Sequence, residues 1–133
     1  MTKTEQEILH TAAGLVAAFA SNDLHAYFGS FADDATFIFH ATDKVLESVE
    51  AYRREWQRWE DEEGFRVLSC VSRDAAVKNL GDVAVFTHRV HTTVSTHGGS
   101  RDHYERETIV FQRRPSGVWV GVHEHLSPDP GAD

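Results

Sequence analysis

Apolar residues recur along this chain with two different periods, and the change of period divides it. In the first third Ile8, Ala12, Leu15 and Phe19 return at helical spacing. The preceding Thr-Glu-Gln-Glu at 4–7 reads as a capping box, with Thr4 accepting from an early backbone amide and Glu7 reaching back, so a helix is predicted over 4–20. Ser-Asn-Asp at 21–23 supplies a second cap for a short helix through LHAYFGSF, and ATFIFH, at 35–40, is β-branched and aromatic enough for a strand. Ser48 opens a third helix that stops at Gly64, with Val49, Tyr52, Trp56 and either Trp59 or Glu63 marking one face. From there the period falls to two. Strands are predicted over 65–79, 83–96, 103–113 and 118–127, joined by NLGD, HGGS and RPSG, each short enough for a hairpin. The tail PDPGAD reads as a frayed end. Helices followed by a four-stranded antiparallel meander predict an α+β fold: a cone-shaped curved antiparallel sheet wrapped around the N-terminal helices, with an interior pocket.

Length and charge narrow the picture. At 133 residues the chain can bury one sizeable core, so a single domain over 1–133 is expected. Thirteen basic against 21 acidic residues give a net charge of -8, and no basic stripe interleaves with aromatics, which argues against a nucleic-acid partner. The single Cys70 suits a reducing compartment. The early apolar run AAGLVAAFA is nine residues, too short to span a bilayer and wrongly flanked for a signal peptide. A cytoplasmic protein without a membrane partner is the expectation.

Two longer stretches carry a resemblance. DLHAYFGSFADDATF and RETIVFQRRPSGVWVGVHEHLS resemble the nuclear-transport-factor-2-like superfamily, in its SnoaL-like and ketosteroid-isomerase-like branch. In motif the chain is similar to the calcium/calmodulin-dependent protein kinase II association domain, whose Glu-Thr, basic hairpin, Trp and His-x-His-x-Ser match Glu107, Thr108, QRRPSG, Trp119, His123, His125 and Ser127. The resemblance implies the cone fold and a pocket. It does not fix function, since the superfamily hosts isomerases, cyclases, hydrolases, dehydratases and non-catalytic hubs. A pocket arginine of the hub corresponds to Arg89, and its Phe-x-x-Glu corresponds to FIFH with His40 in place of the glutamate. A second hub arginine is replaced by Ile109, and the acid/base aspartates of ketosteroid isomerase have no counterpart.

Strand alternation sorts the candidate chemistry. Trp119, Gly121, His123, His125 and Ser127 share one face of the last strand, and the resemblance implies that this face looks inward, since relatives keep polar residues at the position of Val120. His123 and His125 either act on a ligand or hold the strand end through ring N–H bonds. Arg89 and His91 share a face of the strand 83–96, and Glu107 lies on the side of Ile109 and Phe111. A buried Arg89 needs a partner, either Glu107 or a ligand anion. His123, His125, His91 and His40 are therefore the candidate proton carriers, because imidazoles titrate near neutrality. Arg89 and Glu107 are the candidate substrate-binding groups, with Tyr27, Trp56 and Trp59 as cavity walls or plain core. His10, His25, His88, His97 and His103 read as solvent-facing or interface residues.

These residues point to an isomerase, cyclase or dehydratase using histidine acid/base chemistry. The substrate would be a small organic molecule, with carboxylate-bearing compounds among the candidates, and no organic cofactor is expected. The alternatives are a non-catalytic ligand-binding or oligomerisation module and a His/Glu metal-dependent enzyme, the latter ranked lower for want of any established ligand spacing. An outward apolar patch of Val118, Val120, Val122 and Leu126, joined by Phe86 and Val90, predicts a homodimer.

Overall fold

Helix α1 (Lys3–Ala20) has its cap two residues ahead of the predicted Thr4 in the computed structural model, which describes residues 1–131. Thr2 is the cap, its side chain accepting from the Glu5 amide at 3.1 Å. Glu7 is thereby free of capping and accepts instead from the Trp119 indole at 3.1 Å, tying the helix to the last strand. Helix α2 (Leu24–Gly29) is capped by Asp23 and α3 (Val49–Glu63) by Ser48, both as expected. Gly64 closes α3 in the left-handed region at φ 65°, where a side chain would be strained and a Cβ would strike the His97 ring.

Among the described residues five strands form one sheet in the order β1-β5-β4-β3-β2. They are β1 (Phe31–Ile38), β2 (Arg66–Asn79), β3 (Val83–Thr96), β4 (Gly99–Arg113) and β5 (Trp119–Pro128). The four C-terminal strands make the predicted antiparallel meander. The strand predicted over 35–40 begins earlier and adds itself parallel to β5, so the sheet is mixed. The helices cover one face, α1 over β2 and β3 and α3 over β1, and the resulting α+β cone is the fold expected from the pattern.

Register decides which residues look into the cone. The two-residue loop at His97–Gly98 sets Thr96 opposite Gly99 and, further along, His88 opposite Glu107 and Arg89 opposite Arg106. The inner face of β3 is therefore Ala84, Phe86, His88, Val90, Thr92 and Val94, all buried. Arg89 and His91 lie on the outer face, contrary to expectation. Strand β5 contains a bulge: Gly121 pairs with Phe111 and His123 with Val110, leaving Val122 as the extra residue. Trp119 and Gly121 point inward as predicted, but beyond Val122 the alternation inverts. Glu124 is buried, while His123 is half-buried and His125 exposed on the other side. Gly121 itself is required, because a Cβ there would meet the Phe31 ring at 2.6 Å.

The same register corrects the predicted outward patch. Phe86 and Val90 belong to the buried inner face and Leu126 lines the cavity, leaving Val118 exposed with Val120 and Val122 half-buried. The predicted frayed tail is also ordered at its start: Asp129 is buried, donates its amide to the Tyr104 carbonyl and pairs with Arg89. Its last two residues, 132 and 133, lie outside the described residues. Among the described residues no helix is long and apolar enough to cross a membrane.

Candidate functional site

Between the helices and the inner face of the sheet lies a cavity of about 280 Å³. This is close to the lower end of the roughly 300–1,000 Å³ range of small-molecule sites. Helix α1 contributes Leu15 and Phe19 to its wall, α3 contributes Tyr52, Trp56 and Trp59, and β3 contributes Val90, Thr92 and Val94. These helix positions recur at three or four residues, which places them on the one face the sheet covers. Arg101, His103 and Glu63 stand at the exposed mouth.

The buried end is polar. Glu107 of β4 and Glu124 of β5 lie side by side, close enough to be hydrogen-bonded through a shared proton. Tyr27 of α2 donates to Glu124 at 3.4 Å, and its hydroxyl is 2.9 Å from that of Tyr52. On the other side the His88 Nε2 meets Glu107 at 2.5 Å, and its Nδ1 meets the Ser72 hydroxyl at 2.6 Å. A continuous hydrogen-bonded chain thus runs from exposed Ser72 at the edge strand, through His88 and the two carboxyls, to the tyrosine pair.

Burial sets the protonation of this chain. It raises the Glu107 carboxyl to about 7 and pushes Glu124 well above the usual carboxylate range, the latter helped by the charge of Glu107. Burial, with the charge of Glu124 next, holds both tyrosines well above their ordinary value, so they remain O–H groups. It also lowers His88 to about 4, which leaves the ring neutral at pH 7. Two carboxyls this close cannot both ionise readily, so the pair keeps a proton in the neutral range.

The residues singled out from sequence divide cleanly. Glu107, Tyr27, Trp56, Trp59 and His40 line the cavity, His40 at 2.6 Å from Glu105 near the mouth. His123, His125, His91 and Arg89 do not. His123 bonds Thr36 at 2.8 Å on the outer face, with burial and then the charge of His125 lowering its pKa. His91 stacks on Tyr104 and meets Asp102 at 2.9 Å. Arg89 pairs with Asp129 at 3.5 Å and more loosely with Asp74 at 3.9 Å, so of the two partners considered for it Glu107 is replaced by two other carboxylates. His88, read from sequence as solvent-facing, is the buried partner of Glu107. Glu124, Tyr52 and Glu105 join the site without having been singled out. Among the described residues no group of three or more His, Cys, Asp or Glu side chains is placed to hold a metal ion.

A model of the SnoaL-like domain matches residues 8–130. None of the curated proteins matches the chain. Solved structures do. A nuclear-transport-factor-2-like protein of unknown function in nutrient uptake from Rhodospirillum rubrum is 22% identical, covering 92% of this chain and 98% of its own, with a TM-score of 0.78. A candidate calcium/calmodulin-dependent protein kinase II association domain from Xanthomonas campestris is 22% identical over 95% of this chain and 88% of its own, with a TM-score of 0.77. A Catenulispora acidiphila structure, in complex with S-DNPA, is 14% identical over 93% and 92%, with a TM-score of 0.77. At these identities the likeness is one of fold.

Proposed function

The chain belongs to the SnoaL-like domain family, and on that footing we propose that it binds a small organic molecule in the cavity and moves a proton on it. The Glu107–Glu124 pair is the acid/base group, and Tyr27 and Tyr52 are hydrogen-bond donors to the oxygen on which charge develops. The observation that carries this reading is the carboxyl pair itself, two neighbouring buried carboxyls at the inner end of an aromatic cavity.

The chemistry follows from the groups. A carboxylate in dry surroundings is a stronger base than in water, and a partner carboxyl can return the proton to a second atom of the same molecule. Such a transfer is an isomerisation, or an elimination when a leaving group departs. Neutral tyrosine hydroxyls stabilise a developing oxyanion without needing a charge of their own. His88 is a positioning residue: it touches Glu107 and fixes the rotamer of that carboxyl. The imidazole acid/base scheme read from sequence is thus replaced by a carboxyl scheme, with the same class of reaction.

The test uses deuterium. A metabolite panel screened by thermal shift supplies binders, and each binder is incubated with the protein in D₂O and followed by NMR. Deuterium should enter the bound molecule at a carbon beside a carbonyl, and Glu124→Gln should slow that entry at least a hundredfold while His125→Ala leaves it unchanged. Binding with no exchange in the wild type would instead support a non-catalytic binding module.

A further inference from the structure

We propose that the ligand is an organic cation, an amine with an apolar body whose ammonium group sits against Glu107 and Glu124. This rests on the cavity being the ligand site and adds the charge of what it takes. Among the described residues the cavity's carboxyls are Glu107 and Glu124 at the inner end and Glu105 and Glu63 nearer the mouth. The cavity's basic residues are Arg101 and His103 at the mouth and His40, and His40 is already bonded to Glu105. An anion carried inward would meet carboxyl oxygens and no cation to offset its charge. An ammonium meets the opposite.

The walls fit the same guest. Tyr52, Trp56, Trp59 and Phe39 present aromatic rings to the cavity, and a ring face attracts a cation, more strongly where water is excluded. The same rings take up the apolar body. The chain as a whole carries a net charge of -8, which raises the local concentration of cations around it.

Binding must then be linked to protons. The groups facing the carboxyl pair are Glu105 on β4, His88 on β3, Cys70 on β2, Tyr27 on α2 and Tyr52 on α3. None of them is a resident cation at pH 7: His88 is held neutral by burial, the Cys70 thiol is raised to about 11 and the tyrosines stay O–H. Below pH 7 both carboxyls of the empty pair are protonated; when an ammonium arrives, one proton leaves to solvent, Glu107 becomes the counter-ion and Glu124 keeps its own proton. An amine arriving neutral takes that proton itself. In the first case one proton leaves for each ammonium bound, so affinity rises with pH until the pair is ionised in the empty cavity.

Calorimetry with three probes of one shape tests this: 2-phenylethylamine, 2-phenylethanol and 3-phenylpropanoate. The amine should bind at least tenfold more tightly than the alcohol at pH 7.5, and the carboxylate should not bind. Below pH 7 the affinity for the amine should fall about tenfold per pH unit, with roughly one proton released per molecule at pH 6, read from the buffer dependence of the heat. Glu107→Gln and Glu124→Gln should each erase the preference for amine over alcohol. The inference is overturned by equal binding of amine and alcohol, by a preference for the carboxylate, by an amine affinity flat with pH, or by no binding of any probe. If the alcohol shifts the Trp56 and Tyr52 NMR signals while the amine gains nothing, the cation reading fails and the cavity reading stands. Silence of those signals toward all three probes would count against both.

Discussion

The two faces of one sheet carry the same residue types and do opposite things with them. On the outer face His91 and His123 are partly wet and bond Asp102 and Thr36, and Arg89, partly exposed itself, pairs with buried Asp129 and exposed Asp74; none of the three joins the buried chain. On the inner face His88, one residue before outer Arg89 and three before outer His91, belongs to a chain of five further side chains and has almost no exposure. Identity of the residue therefore says little about its chemistry. What separates the faces is desolvation, which turns carboxyls into acids that keep their proton at neutral pH and an imidazole into a neutral hydrogen-bonding group.

The largest expected contrast is in stability. His88→Ala leaves Glu107 without its partner in a dry site and should cost about 3 kcal/mol in urea unfolding. His91→Ala, on the wet face, should cost less than about 0.5 kcal/mol. Similar losses for the two would erase the distinction between the faces.

The dependence on pH sharpens it. Glu107 and Glu124 have folded pKa values raised by burial, so they hold protons that the unfolded chain has released, and stability falls as pH rises from the ordinary carboxylate range through about 7. His88 runs the other way: its pKa is lowered to about 4, so stability is lost as pH falls below the ordinary imidazole range through that value. Between these limits one carboxyl and His88 cancel, and the second carboxyl leaves a net decline with rising pH of about 1.4 kcal/mol per unit. Glu124→Gln should flatten that decline. Chemical denaturation at pH 5, 6, 7 and 8 reads it directly, and a slope unchanged in the variant would refute the assignment.

A smaller effect belongs to the outer face alone. His123 should titrate below the ordinary imidazole value in ¹⁵N NMR, and His125→Ala, by removing a neighbouring positive charge, should move its midpoint upward. His88 in the same spectra should remain neutral down to about pH 4. A His123 midpoint that ignores the substitution would mean that the two rings do not interact.

Much of the fold was legible because it depends on local rules. Ser48 and Gly64 bracket α3 through capping and a left-handed glycine, and NLGD, HGGS and RPSG turn the strands where expected. The parallel addition of β1 was not legible, since pairing between residues 31–38 and 121–125 is non-local and no turn announces it. In the site, one error was avoidable. A two-residue loop in HGGS puts Glu107 opposite His88, and the apolar alternation Ala84, Phe86, Val90, Val94 marks that face as inner. The resemblance drew attention to Arg89 instead. The other error was not avoidable: strict alternation from Trp119 carries His123 and His125 inward, and only pairing with β4 and β1 reveals the residue that does not count.

That uncounted residue, Val122, behaves like a single inserted letter in a message read two at a time. Upstream of it the strand is read in one frame and offers Trp119 and Gly121 to the interior; downstream it is read in the other and offers Glu124 and Leu126. The text His-Glu-His thus contains two interiors, one of imidazoles and one acidic, and the bulge selects the acidic one. Deleting Val122 would leave a regular strand with the same interior, whereas keeping it in an unbulged strand would exchange a carboxyl for histidines. The chemistry of the cavity is therefore set by whether the strand bulges at Val122, while every residue that bears that chemistry stays the same.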